Sequence, residues 1–286
     1  MNVDLHYHGL IGFHEPWISL QGYKGKNLAE EIFNTASNQE VDMLAIISEQ
    51  TEIEKGSFHD RFNYLFSEAQ KLPKNEYSCG KLGNKDISFC LERKKDNKRL
   101  FILNGQTVII KERGNRMDHL IIGSNQVPNQ KSWKETISFG KNNGLIQIAE
   151  KPYCKGYFGI PEEILLRDAE EYDAIEGHNS QMILPFGSLS KRSNEQAQTF
   201  AINNLKPWIA TSDAHRIKDL AISWIEPKGD PINEDNEERL LNDLREKIKT
   251  SQFLNHCSYE SFLGWLHWVG TFIGATKLGF DKYSIN

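Results

Sequence analysis

The sequence predicts an α/β fold in which parallel strands close into a barrel. Short apolar runs alternate with amphipathic stretches along most of the 286 residues, and seven such runs can be counted. No stretch is rich enough in Pro, Gly or Ser to read as a linker that divides the chain. This alternation is typical of parallel strands joined by right-handed helical crossovers, in an open doubly wound sheet or a closed barrel. Seven strands favour the barrel.

The predicted strands are short runs rich in Val, Ile and Leu. They are Val3–Tyr7, Val41–Ile47, Leu100–Ile110, His119–Ile122, Leu145–Ala149, Ala174–Glu176 and Trp208–Thr211. The predicted helices have apolar residues at helical spacing. They are Asn27–Ala36, Asp60–Leu72, Trp133–Asn142, Pro161–Glu171, Glu195–Asn204 and Asp235–Lys249. The polar segment at about residues 75–98 interrupts the alternation and predicts an inserted surface hairpin.

Composition narrows the classes of function and the compartment. A formal net charge of −5 and a pI near 6.0 argue against a broad phosphate-binding surface, as on a nucleic-acid-binding domain. The four cysteines include no C-x-x-C pair, which excludes a zinc ribbon and a thioredoxin-type motif. No apolar stretch follows Met1 closely, so we expect no secretory signal and a cytoplasmic location.

The C-terminal segment differs from the rest of the chain. Residues 261–275 carry no formal charge and include two tryptophans, but they are too few to predict a transmembrane span. Three interpretations are open: a helix packed on the barrel, a dimer contact, or attachment to a membrane surface. We therefore predict a barrel over residues 1–250 and an apolar helix in residues 251–286 that packs on it or mediates homo-oligomerisation.

Polar residues stand in or close nearly every predicted strand, where α/β barrels collect catalytic groups. They are His6, His8, Ser48, Glu49, Gln106, Thr107, His119, Glu150, Glu176, His178, Asp213 and His215. Mixed imidazoles and carboxylates are ligands of Zn, Mn and Fe. In an extended segment residues i and i+2 share a face, so His6 and His8 can bind one ion while Leu5 and Tyr7 face the other way. A single H-x-H pair is also typical of hydrogen-bonded histidines, but Asp213 and His215 repeat the spacing at the other end of the chain and favour a metal site.

These motifs resemble the PHP (polymerase and histidinol phosphatase) domain family over residues 3–250. D-L-H-Y-H at residues 4–8 resembles the first motif of that family, and T-S-D-A-H at residues 211–215 resembles the last. V-D-M-L-A-I-I-S-E-Q, N-G-Q-T, H-L-I-I-G and D-A-I-E-G-H-N lie where its middle motifs fall. The resemblance implies a distorted seven-stranded β/α barrel. It also implies a metal-dependent phosphoesterase with one to three divalent ions, acting on a phosphorylated small molecule or a nucleic acid end.

Carried over position by position, the resemblance implies eight metal ligands. They are His6, His8, His14, Glu49, His119, Glu150, Asp213 and His215. The first ion would take His6, His8 and Asp213, and the third would take His14 and His215. The chain departs from the family pattern mainly at the ligands of the second ion. Where the family has a bridging glutamate, this chain has Gln106 and Thr107. Where a histidine usually precedes proline, it has Glu150–Lys151.

Three further roles are predicted at this site. Lys151 would place a fixed positive charge where the second ion would sit, and Arg61 would contact phosphate through its planar guanidinium. Glu176 either belongs to the substrate rim or orients a ligand histidine. The predicted activity is hydrolysis of a phosphate ester by metal-activated water. The alternative is a barrel that has lost catalysis and serves as a binding or assembly subunit, which the missing bridging carboxylate favours.

Overall fold

A computed structural model describes residues 1–9, 22–49, 60–112, 114–129, 131–154, 158–184, 190–267 and 269–270. The strands are β1 (Val3–Tyr7), β2 (Met43–Glu49), β3 (Tyr77–Lys81), β4 (Ser88–Arg93), β5 (Lys98–Glu112), β6 (Asn115–Ile122), β7 (Ile146–Ala149), β8 (Ala174–Asn179), β9 (Trp208–Thr211), β10 (Trp224–Pro227) and β11 (Phe253–His256). The helices are α1 (Leu28–Asn38), α2 (Arg61–Gln70), α3 (Trp133–Asn142), α4 (Glu162–Arg167), α5 (Lys191–Asn203) and α6 (Glu237–Lys249). Each predicted strand and helix overlaps with one of these elements, although several bounds differ, as where the predicted helix Pro161–Glu171 is observed as Glu162–Arg167.

Local sequence explains where several helices begin. Asn27 caps α1 by accepting hydrogen bonds from two backbone N–H groups of its first turn. Ser132 and Glu135 form a reciprocal capping box at the start of α3. Asn236 caps α6 in the same way as Asn27 caps α1. These caps satisfy N–H groups that have no partner within the helix, and so they fix the point at which each crossover turns.

The sheet closes into a barrel, as predicted. Seven strands follow one another around the wall in the order β1-β2-β5-β6-β7-β8-β9. A bridge between Tyr7 and Ala214 joins the first strand to the segment after the last, and the His8 N–H donates to the Ala214 carbonyl at 3.0 Å. The described sheet has eleven strands rather than seven, because β10 and β11 extend it beyond β1, and β3 and β4 form a hairpin on β5.

The expectation of parallel strands throughout is wrong at β6. This strand runs antiparallel to both β5 and β7. Only residues 113 and 114 separate β5 from β6, and a connection that short cannot carry a crossover helix back to the other end of the sheet. The β5–β6 pair is therefore a long hairpin within the barrel wall, which is the distortion of the barrel.

The barrel interior is apolar at the end where the strands begin. All seven wall strands contribute side chains to one buried cluster, including Val3, Met43 and Ile146. Leu240 and Leu244 of α6 belong to the same cluster, so this helix covers that end of the barrel. The opposite end, where most strands finish, is left to polar side chains. Ligand sites of α/β barrels lie at this carboxyl end.

A β-bulge in β1 changes which side chains face the interior. Asp4 and Tyr7 of β1 pair with Leu44 and Ile46, so that Leu5 and His6 together stand opposite Ala45. Leu5 packs in the barrel interior, which corrects the prediction that it faces away from His6. The bulge brings His6 to the side of Leu5, because a strand with an extra residue no longer alternates strictly.

The C-terminal segment is described only to residue 270. Residues 262–267 are helical and expose Phe262, Leu263 and Leu266. The predicted packing or oligomer contact of this segment stays a prediction, as does the division at residue 250. Among the described helices, none has the length and apolar character needed to cross a bilayer.

Candidate functional site

Two histidines and an aspartate converge at the carboxyl end of the barrel strands. His6 and His8 lie at the end of β1, and Asp213 follows β9. Each contributes one ligand atom, and the three atoms lie within 4.8 Å of one another. The two Nε2 atoms are 2.9 Å apart, and Asp213 Oδ1 is 3.1 Å from that of His8 and 3.4 Å from that of His6. All three side chains are buried. We call them the His-His-Asp cluster.

Glu176 fixes the ring of His6. Its Oε1 lies 2.6 Å from His6 Nδ1, so that nitrogen donates and leaves the lone pair of Nε2 for the cluster. A second hydrogen bond of this kind usually orients a metal-binding imidazole. This placement agrees with the second of the two interpretations of Glu176. His178, two residues later, instead contacts the Ser258 carbonyl at 2.8 Å, because the bulge after Glu176 ends the i, i+2 relation.

Asp213 is held by backbone and side-chain contacts. Its φ of 48° lies in the left-handed region, which Asp tolerates better than most residues. Its Oδ2 accepts a hydrogen bond of 2.9 Å from Asn179 Nδ2. Burial alone would raise the pKa of Asp213, but Lys151 and His6 outweigh burial and hold that pKa well below its ordinary range. The carboxylate is therefore ionised and directed at the two histidines.

The electrostatics of the cluster fit a divalent cation. Burial lowers the pKa of His6, but Asp213 and Glu176 raise it more, to about 9. The same negative potential that draws a proton to His6 would attract a metal ion. Asp213 Oδ1 and Glu150 Oε1 are buried carboxylate oxygens that lie 3.4 Å and 3.7 Å from His6 Nε2. Two imidazole nitrogens and a carboxylate oxygen suit Zn, Mn or Fe. Such a site agrees with the ligand set implied for the first ion.

Glu150 and Lys151 lie beside the cluster. Glu150 Oε1 is 3.7 Å from His6 Nε2 and 2.8 Å from Lys151 Nζ. Lys151 Nζ is also 3.3 Å from Asp213 Oδ2. Burial opposes the charge of this lysine, but Asp213 and Glu150 outweigh burial and hold the pKa of Lys151 well above its ordinary value. Lys151 is therefore a cation within the site.

No carboxylate from β5 reaches this group among the described residues. Thr107 takes that place and donates from Oγ1 to Glu150 Oε2 at 2.9 Å. Gln106 bonds instead to the backbone of Val127, with its Oε1 2.9 Å from the Val127 nitrogen and its Nε2 3.0 Å from the carbonyl. The position predicted to lack a bridging carboxylate holds a hydroxyl.

Arg61 and His215 adjoin His8. Arg61 is 1 % exposed, and its Nη1 donates to the Ile47 carbonyl at 2.7 Å and lies 3.1 Å from His8 Nδ1. The structure thus places Arg61 behind His8, where it positions the ring, and its predicted phosphate contact gains no support from this placement. The His215 ring stacks on His8 at 4.5 Å, and its Nδ1 lies 2.8 Å from the Asp213 carbonyl.

His119 does not join the cluster. On β6 its partners across the sheet are Val108 and Ala149, which belong to the buried cluster outside the barrel wall. Its ring packs against Trp133 of α3 with centroids 5.0 Å apart. Alternation along the antiparallel β6 sends Leu120 inward and His119 outward. The predicted ligand role of His119 therefore has no geometric support.

We expect His119 to make folding pH-dependent. Burial lowers its pKa from 6.5 to about 3, so the native state keeps the ring neutral while the unfolded chain protonates below pH 6.5. Stability is lost as the pH falls below 6.5, by roughly 2 kcal/mol at pH 5. Urea unfolding at pH 7 and pH 5 measures this effect. From pH 7 to pH 5 the free energy of unfolding of H119L should fall by about 2 kcal/mol less than that of the wild type. H256L, at a half-exposed histidine, is the control; a fall in metal content of H119L would instead show that His119 reaches an ion.

The side chains of two implied ligands are not described. His14 falls in the undescribed segment 10–21, and the side chain of Glu49 is likewise not described. Their roles stay predictions. Two groups had no predicted role at the site: Asn179 donates to Asp213 and Glu176, and Thr211 donates to Glu176. Both lie within quoted motifs, but amides and hydroxyls carry no metal-ligand signal.

Comparison with known proteins shows a likeness to the PHP family in part of the sequence and in the fold. Residues 191–247, from α5 into α6, match the PHP-associated family (PHP_C). A two-domain protein from Bacteroides vulgatus ATCC 8482, which contains a predicted PHP-like metal-dependent phosphoesterase, has the same fold, with a TM-score of 0.51. This chain has a PHP-like fold. The alignment has 15 % identity and covers 90 % of this chain and 65 % of the Bacteroides protein.

A second solved structure shares the fold of this chain over nearly its whole length. PsfC from Pseudomonas syringae PB-5123 aligns with a TM-score of 0.57 and 14 % identity, covering 97 % of this chain and 98 % of PsfC. Identities this low establish the fold and not the activity. A search of curated protein sequences gave no match.

Proposed function

We propose that this PHP-like protein is a metal-dependent phosphoesterase that hydrolyses a phosphate ester at the mouth of the barrel. The observation that carries the proposal is the His-His-Asp cluster, whose three buried ligand atoms lie within 4.8 Å of one another. The substrate class we propose is a phosphorylated small molecule or a nucleic acid end, and the compartment is the cytoplasm.

The chain's own residues would divide the work. His6, His8 and Asp213 would hold a Zn, Mn or Fe ion, which supplies a Lewis acid and lowers the pKa of a water molecule toward about 7. Glu176 keeps His6 Nε2 directed at that position. The ammonium group of Lys151 would neutralise charge on the substrate phosphate.

Metal content and turnover test this proposal together. Protein purified without a histidine tag should contain at least one equivalent of Zn, Mn or Fe per chain by elemental mass spectrometry. It should also release product from a panel of phosphate mono- and diesters, and H8A should lose both the ion and the activity. H256A should keep both, because the His256 ring pairs with Glu226 away from the cluster. Protein grown with ample metal that contains none would refute the proposal.

A binding or assembly subunit is the second candidate, and the β5 position favours it. A hydroxyl at Thr107 cannot bridge two cations as a carboxylate does. An ion held by the cluster would then be structural, and the panel of esters would give no turnover. In that case H8A should retain partner binding, measured by capture of partners with the wild type as reference.

A further inference from the structure

Lys151 occupies the space next to the His-His-Asp cluster. Its Nζ lies 2.8 Å from Glu150 Oε1 and 3.3 Å from Asp213 Oδ2, and the side chain is only 14 % exposed. The same Glu150 oxygen is 3.7 Å from His6 Nε2. The ammonium group therefore lies between the carboxylate of Asp213, which belongs to the cluster, and that of Glu150, which faces it.

The backbone fixes Lys151 in this place independently of its ion pairs. Its φ of 45° lies in the left-handed region, which is costly for a residue with a side chain. Its N–H donates to Glu176 Oε2 at 3.0 Å, and its carbonyl accepts from the Cys154 N–H at 3.2 Å. A Cβ on Gly159 would lie 2.3 Å from that carbonyl, so only glycine allows the chain to pack there. The segment is built to hold the strained residue.

The charges explain what such a residue does. Asp213 belongs to the cluster and Glu150 lies beside it, and two carboxylates placed in this way would recruit a second divalent ion. The ammonium group already lies between them. We propose that Lys151 is a built-in cation that takes the place of a second divalent ion and binds the phosphate of the substrate; this rests on the proposed function above.

The proposal predicts two opposite effects of removing the charge. A fixed positive charge repels a metal ion nearby and attracts a phosphate group. In K151M, a neutral variant of similar length, Mn²⁺ should bind the cluster about tenfold more tightly. A further, weaker equivalent of Mn²⁺ should bind at Glu150 and Asp213. Inorganic phosphate should bind the Mn²⁺-loaded variant about tenfold more weakly than the wild type.

Calorimetric titration with Mn²⁺ and then with inorganic phosphate measures both affinities without turnover. K151R keeps the charge and is the matched control, so its affinities should stay within about threefold of the wild type. If K151M binds Mn²⁺ as the wild type does, or binds phosphate as tightly, Lys151 is only a structural ion-pair partner and the proposal fails. Weaker Mn²⁺ binding by a folded K151M would also overturn it. Circular dichroism identifies a variant that has not folded, and then K151Q replaces K151M.

Failure of the proposed function would give a different result. If both affinity changes occur but no phosphate ester is hydrolysed, Lys151 is a built-in cation of a binding site and the phosphoesterase proposal fails. If esters are hydrolysed and neither affinity changes, only the inference about Lys151 fails. A wild-type chain that binds none of Mn²⁺, Zn²⁺ and Fe²⁺ would overturn both.

Discussion

D213N should bind a metal ion at the cluster at least about 100-fold more weakly than the wild type. Asn has the size of Asp and also tolerates the left-handed backbone, so the fold should be kept. The carboxylate supplies both the negative charge and one of the three ligand atoms. Asn179 Nδ2 and Lys151 Nζ both approach Oδ2, and the amide oxygen should turn toward these donors. The amide NH2 group would then point at the two histidines, where an ion needs a lone pair.

Isothermal titration with Zn²⁺ or Mn²⁺ measures this loss, and thermal unfolding without metal checks that D213N is folded. D230N, at an exposed aspartate of a loop, makes the same chemical change away from the site and should bind metal as the wild type does. Loss of the ion should abolish ester hydrolysis if the proposed function is right. Undiminished affinity in D213N would show that the ion is held by groups other than this cluster.

The barrel could be predicted from sequence because each of its strands is recognisable from its own short apolar run. Val3–Tyr7 and Trp208–Thr211 are short apolar runs whose bounds the structure reproduces without change. The direction of β6 could not be predicted in the same way. Strand direction depends on whether the connection is long enough to cross the sheet, and the bounds of β5 and β6 extend beyond their apolar cores to leave two residues between them. The apolar pattern does not show how short the connection between β5 and β6 is.

The three residues of the His-His-Asp cluster were easier to predict than the positions of the residues around them. His6, His8 and Asp213 combine unusual residue types with strand-end positions, and both signals are visible in sequence. His119 has the same residue type, but its side of the wall is set by the register of an antiparallel strand. Glu176 was placed only as one of two alternatives, because a bulge at the next residue breaks the alternation on which such reasoning depends.

E176Q is expected to weaken metal binding by about 10- to 100-fold although Glu176 is not itself in the cluster. Burial raises the pKa of Glu176, but His6 outweighs burial and lowers it, so the side chain is an ionised carboxylate. Its Oε1 receives His6 Nδ1 at 2.6 Å and Thr211 Oγ1 at 2.6 Å. Its Oε2 receives the Lys151 N–H at 3.0 Å and Asn179 Nδ2 at 3.2 Å. Donors surround both oxygens.

An amide cannot satisfy this arrangement, because its NH2 group would face the Nδ1–H of His6 in one orientation and the Lys151 N–H in the other, and neither can accept a hydrogen bond. If the NH2 group faces His6, the ring loses the bond that directs Nε2 at the ion; if it faces Lys151, the segment carrying that residue loses its anchor. We expect E176Q to lose about 1 to 3 kcal/mol of unfolding free energy as well, since a buried group is left unsatisfied. Metal titration and urea unfolding measure the two effects, with E195Q on the exposed face of α5 as control. Loss of a ligand should weaken metal binding more than loss of a residue that orients a ligand. Metal affinity in E176Q as low as in D213N would therefore mean that Glu176 itself binds the ion.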